Sequence, residues 1–198
     1  GNLMYHGASG GAMVTYAGPK VTFTGNSEVP STVTFSATNV TFEVAQATFT
    51  GPVTISNNWE IKNNVIFKEA VTLSGEITGT GTVTFETALL NTATKTINNN
   101  IVFGAAGMST ATVAVSQGGM LLLGSTTVTV NSIVVNAGGT IRSTKSGQTI
   151  SGPGVIPMQW DWNVPITFGR LNITGQRTIS RVHTLSATGT AFTYFTGG

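Results

Sequence analysis

The chain has 198 residues, 40% hydrophobic and only 8% charged, with 25 glycines, no cysteine and a formal net charge of +2. This composition excludes intrinsic disorder, which goes with abundant charge and few β-branched residues, and it excludes a disulfide framework. It also excludes a membrane-spanning helix, because no run approaches the roughly 18 apolar residues such a helix needs.

Taken in chain order, the pairs Val21/Phe23, Val33/Phe35 and Val40/Phe42 alternate as short strands do, but at irregular spacings that imply long corners. From Ala47 to Ala106 the text becomes regular: ten six-residue units carry an apolar residue first in nine cases and third in eight. Phe49, Phe67, Phe85 and Phe103 recur within it at one constant interval of three units. Two inward side chains per short strand, followed by Gly, Asn, Ser or Thr, predict a triangular coil of three strands. The expected fold is therefore all-β, a parallel β-helix or β-solenoid with about 18 residues per coil.

Stacking coils at that period gives each face its ladder. The first face carries Ala47, Val65, Val83 and Ile101 beside the phenylalanines, and the second carries Val53, Val71 and Leu89 with Ile55 and Leu73. Trp59 and Ile77, with Ile61 and Ile97, fall on the third. Gly79, Asn91 and Lys95 break the apolar pattern and predict a corner or bulge, with the Lys95 ammonium at the coil edge and its stem packed inside. Beyond this region Val113/Val115 keeps the phase, Leu121 is placed on the Phe ladder one further interval after Phe103, and Val128/Val130 and Ile133/Val135 drift out of register.

The predicted organisation is a solenoid over residues 1–152, most regular at 47–115, then a Pro/Trp loop or cap at 153–165. Further coils or a terminal cap follow at 166–198. Scarce charge favours a secreted or cell-surface protein. A start at Gly1 and an end at Gly197-Gly198 suggest a processed product or a fragment.

The N-terminal Gly10-Gly11-Ala12-Met13 and Phe23-Thr24-Gly25-Asn26 resemble the GGA-aliphatic and FxxN signatures of the polymorphic outer-membrane proteins. Later phrases such as ITGTGTVTF resemble autotransporter and haemagglutinin-type passengers. The resemblance implies a right-handed β-helical passenger on a bacterial surface, engaged in adhesion, and it carries over no catalytic residue.

Nothing in the residues points to catalysis, a cofactor or a metal. One Asp and six Glu are dispersed, and Lys68 with Glu86 is expected to form a surface ion pair across adjacent coils. Glu60 and Lys62 share an outward face and are expected to be solvated. His6 and His183 lie far apart without Cys or Asp clusters, and GASGGA and NAGGT lack the Lys and helix of a phosphate loop. Arg142, Lys145, Arg170, Arg177 and Arg181 are too scattered for a nucleic-acid stripe. The sequons at Asn39 and Asn172 arise easily in Thr-rich text.

Two binding platforms stand out. Met158, Trp160 and Trp162 alternate on one side of an extended segment and Asp161 on the other, which suits either a hydrophobic cap or stacking on a sugar. Thr54/Ser56 and Thr72/Ser74 on the second face, with Thr78/Thr80 and Thr96/Asn98 on the third, form outward hydroxyl arrays of the kind ice-binding solenoids use. The expected function is an extracellular structural or adhesive module, an ice-binding solenoid or a phage tail-fibre or glycan-processing β-helix being the alternatives. Its partners are a host-cell or surface glycan or receptor, or other copies of itself.

Overall fold

Alternating apolar and polar residues, with two apolar groups per strand, force each strand to bury one side and expose the other. In the computed structural model those strands stack coil upon coil. The structure describes residues 40–43, 46–91, 93–105, 110–136, 138–157 and 159–169 with their side chains. It adds the strand backbone at 3–5, 14–16, 20–23, 27–29, 33–35, 39, 137, 172–174, 184–185 and 195–196.

The strands form parallel sheets in which every neighbour lies one coil away, giving a β-solenoid. The first sheet has nine strands, among them Gln46–Phe49, Asn64–Phe67, Thr82–Phe85, Asn100–Phe103, Thr127–Val130, Gln148–Ser151 and Ile166–Phe168. The second has seven, from Val14–Tyr16 to Ile133–Ala137, and the third has nine, from Leu3–Tyr5 to Trp160–Trp162. A short fourth sheet joins Val155–Ile156, Asn172–Thr174 and Phe195–Thr196.

The Phe ladder forms as its spacing predicts. Phe49, Phe67, Phe85 and Phe103 pair in consecutive coils. Their ring centroids are 5.2, 5.5 and 6.1 Å apart, with near-parallel planes. Trp59 leans on this column, 5.7 Å from Phe49 and 6.0 Å from Phe67. Each ring is fully or almost fully buried, which contributes roughly 1.5–3 kcal/mol per side chain.

The third sheet departs from the strict period. Ile97 pairs with Ile77, a step slightly longer than the regular one, and so joins the Trp59–Ile77 lane rather than a lane with Ile61. A two-residue slip preserves which side faces inward, because the side-chain period of a strand is two. It fills with Ile97 the slot that the regular step would have given to Lys95. Lys95 itself lies in the strand Lys95–Ile97, opposite Leu121, and is half-buried.

Gly79 does occupy a corner, with φ +114°, where a side chain would strike the Ile61 carbonyl. Asn91 is not at a bulge. It ends the strand Ala88–Asn91 in the lane of Leu73 and Val115, 2% exposed, and its Nδ2 donates to the carbonyls of Ala93 and Met120.

Leu121 is not on the Phe ladder. It lies in the third sheet between Lys95 and Ile141, while Phe103 pairs with Val130, a period and a half further along the chain. The cause is extra corner chain after Phe103: the step from Leu89 to Val113, which stacks on it, exceeds the period by one six-residue unit. An insertion of one unit leaves the apolar phase intact but moves the chain to the next face. Val128/Val130 and Ile133/Val135 are correspondingly in register, beneath Ile101/Phe103 and Ala111/Val113.

Corners between the third and first sheets are pinned by buried amides. Asn99 Nδ2 donates to the carbonyls of Ile61 (2.9 Å) and Gly81 (3.2 Å), and Gln148 Nε2 donates to those of Leu123 and Ser125. These bonds satisfy backbone acceptors that neighbouring coils leave over at the turns. The segment at 153–165, expected as a loop or cap, instead supplies the strands Val155–Ile156 and Trp160–Trp162, so the coil continues through it.

Candidate functional site: the outward face of the first sheet

Parallel strands about 4.8 Å apart turn any repeated outward residue into a straight lane. On the first sheet two such lanes run side by side. One contains Gln46, Asn64, Thr82, Asn100, Thr127, Thr149 and Thr167, and the other contains Thr48, Ile66, Thr84, Val102, Thr129 and Ser151. None of these residues is charged, and all are half-buried except Gln46 and Asn64, which are exposed. Backbone register extends the lanes to Thr184 at one end and to Glu28 at the other. Charges flank the face in its turns, where Lys68 and Glu69 follow Phe67 and Glu86 follows Phe85.

The hydroxyls on this face differ from those at the corners. Ser74, Thr78, Thr87, Ser116 and Thr144 each donate to a backbone carbonyl of an adjacent coil. Thr82, Thr84, Thr129, Thr149, Ser151 and Thr167 bond through their side chains to no other group among the described residues. Corner hydroxyls fasten the coil, whereas on the first sheet Thr48 Oγ1 accepts from Gln46 Nε2 and these six hydroxyls have no partner among the described residues.

The third sheet is the charged face. Lys62 Nζ lies 3.0 Å from Glu43 Oε1, Arg142 Nε lies 2.8 Å from Asp161 Oδ2, and Thr41 Oγ1 donates to Glu60 Oε2. Lys62–Glu43 and Arg142–Asp161 are the ion pairs among the described residues; the pair expected at Lys68 and Glu86 is not one of them, and Glu60 and Lys62, expected to be solvated, bond Thr41 and Glu43 instead. The hydrogen bond and charge of Glu43, with Glu60 adding to them, raise the Lys62 pKa above the usual lysine value. A raised value means that any stabilisation from the pair is complete below the unfolded lysine pKa and is lost as pH climbs through the folded one. Titration followed by NMR is expected to show Lys62 losing its proton at higher pH than in the unfolded chain, and Glu43→Gln to bring it back down.

On the second sheet Thr54 and Thr72 pair, and the register continues upstream to Thr34 and Thr15. Downstream the lane turns to Leu90, 43% exposed, and then Ala114 and Asn136. Ser56 and Ser74 lie in turns beyond their strands, and Ser74 Oγ is bonded to the Ile55 carbonyl. The structure thus brings Thr54 and Thr72 together and leaves both serines outside their lane. On the third sheet Thr78 donates to the Trp59 carbonyl.

Trp160 and Trp162 face inward, 2% and 7% exposed. Trp160 stacks in the lane of Ile141, donates its Nε1–H to Ser143 Oγ at 2.9 Å and meets Phe103 edge-on, while Trp162 packs edge-on against Phe168. Their faces are closed to a sugar ring, and Asp161 on the outward side is engaged by Arg142. Met158, His6, His183 and the Gly10–Met13 motif lie outside the described residues. Among the described residues no group of three or more His, Cys, Asp or Glu could hold a metal ion, and no helix is long and apolar enough to cross a membrane.

The first-sheet array is the feature that sequence reasoning missed. Its signal is the repeated Thr-Val-Thr at 82–84 and 127–129, which only the lengthened step from Phe103 to Val130 brings onto one face. No protein-family model, no curated protein and no solved structure matches the chain.

Proposed function

We propose that the chain is an extracellular structural or adhesive β-solenoid module, secreted or held at a cell surface, that works by presenting the neutral face of its first sheet to a repetitive, uncharged partner surface. The observation that carries this reading is the pair of lanes across seven strands, uncharged from Gln46 and Thr48 onward, with six hydroxyls that no other group among the described residues uses. At about 4.8 Å per strand the face is roughly 29 Å long.

Other features support it. Low charge suits a molecule outside the crowded cytosol. The Gly10–Met13 and Phe23–Asn26 resemblance to autotransporter passengers implies a surface adhesin built from such coils. Several carboxylates are committed elsewhere, Glu43 to Lys62, Glu60 to Thr41 and Asp161 to Arg142, which favours binding over catalysis.

The test is retention of the purified chain on insoluble neutral polysaccharides, on whole cells and on ice, compared with the variant Thr84→Lys/Thr129→Lys. Retention of the wild type on at least one surface, lost in a variant with unchanged melting, is the expected result. Equal retention of the two proteins, or none by the wild type, would overturn the reading.

A further inference from the structure

We infer that the partner of the first-sheet face is ordered water, so that this face adsorbs to the surface of ice. The inference rests on reading the face as the contact surface and names what it contacts.

Order is the first argument. Thr82/Thr84, Thr127/Thr129 and Thr149/Ser151 repeat one outward pair on three strands, with Asn100/Val102 between the first two. Successive strands lie about 4.8 Å apart along the solenoid and the two lanes about 6.6 Å apart, a grid of hydroxyls and methyls interrupted at Asn100/Val102. β-branched side chains half-buried between neighbours are stiff at χ1, so little rotamer freedom remains to be lost on adsorption.

Hydrogen bonding is the second. Six hydroxyls of the face have no protein partner among the described residues and are set to bond water at fixed positions, while the intervening methyls of Thr and Val102 separate those positions. Chemistry of the alternatives is the third. A strongly hydrated ammonium or carboxylate would hold disordered water, and none lies on the lanes from Gln46 and Thr48 to Thr167, Glu28 joining the register only beyond that end. Sugar recognition favours an exposed aromatic platform, whereas Trp160 and Trp162 are in the core. At about 29 Å by about 10 Å, three residues of strand wide, the face offers a second copy only about 300 Å², below the about 800 Å² per partner of a standard protein interface.

The experiment is slow growth of polycrystalline ice from a dilute solution of the chain, with protein measured in the ice and in the remaining liquid. An unrelated protein of similar size is the reference, and retention on insoluble neutral polysaccharide is measured on the same preparations. Wild type is expected to be enriched in ice by about tenfold or more over the reference, a difference the thermodynamics of one weak surface contact can supply. Thr84→Lys/Thr129→Lys should fall to the reference level, and Thr72→Lys on the second sheet should keep the enrichment. Should the double variant melt lower, Thr149→Lys alone takes its place.

Exclusion of the wild type from ice, or equal enrichment of all variants, would overturn the inference. Polysaccharide retention that the first-sheet variants lose would then leave the contact-surface reading standing with a glycan partner. Binding to neither surface, nor to cells, would remove both.

Discussion

Replacing Phe85 by alanine is expected to destabilise the solenoid by about 3–5 kcal/mol. Phe85 is fully buried and stacked between Phe67 at 5.5 Å and Phe103 at 6.1 Å, so truncation leaves a gap inside a continuous column rather than at its end. The rings above and below cannot close that gap, because their strands are held one coil apart by the parallel ladder. Whole domains are stable by about 5–15 kcal/mol, so one such loss removes a large part of the total. Urea unfolding measures it, and Phe85→Leu, which keeps most of the volume, should cost under about 1.5 kcal/mol. Hydrogen exchange should show protection falling first in Asn64–Phe67, Thr82–Phe85 and Asn100–Phe103, since in a solenoid each coil is stabilised by its neighbours. A change below about 1 kcal/mol for the alanine variant would mean that the ring does not fill the column.

The Phe column was legible because inward parity and a constant period coincide over four coils. Where chain was inserted the same logic misled. An added six-residue unit after Phe103 keeps Val113 and Leu121 in apolar phase yet rotates the chain by one face, which no periodicity within the sequence reveals. Trp160 and Trp162 posed a related ambiguity, since alternation says that they share a side but not which side. Pairing of Trp160 with buried Ile141 decides it. Nothing in the sequence singles out Asn99 and Gln148, and only the turn carbonyls of adjacent coils explain why both are buried. The hydroxyl lanes were hidden for the opposite reason. Thr84, Val102, Thr129 and Ser151 are neighbours in space at unequal steps in sequence, so the lane exists in the register and not in the text.

Gly81→Ala is expected to cost about 3 kcal/mol or more, although one methyl group is all it adds. A Cβ at Gly81 would lie 1.7 Å from the carbonyl oxygen of Asn63, backbone of the preceding coil. Relief requires the coils to separate at this corner, where they are tied by the bond from Gly81 N–H to the Ile61 carbonyl (2.9 Å) and by Asn99 Nδ2, which reaches both the Ile61 and Gly81 carbonyls. Separation would leave these groups unpaired in a buried place, and each such loss adds about 1–3 kcal/mol. Gly118→Ala is the matched comparison: its φ of +75° is unfavourable to a side chain, but nothing lies within 4 Å of the added carbon. Only backbone strain of about 1–2 kcal/mol is then expected. Denaturation of the two variants side by side separates crowding between coils from strain within one, and equal losses would mean that the corner at Gly81 yields without breaking its ties.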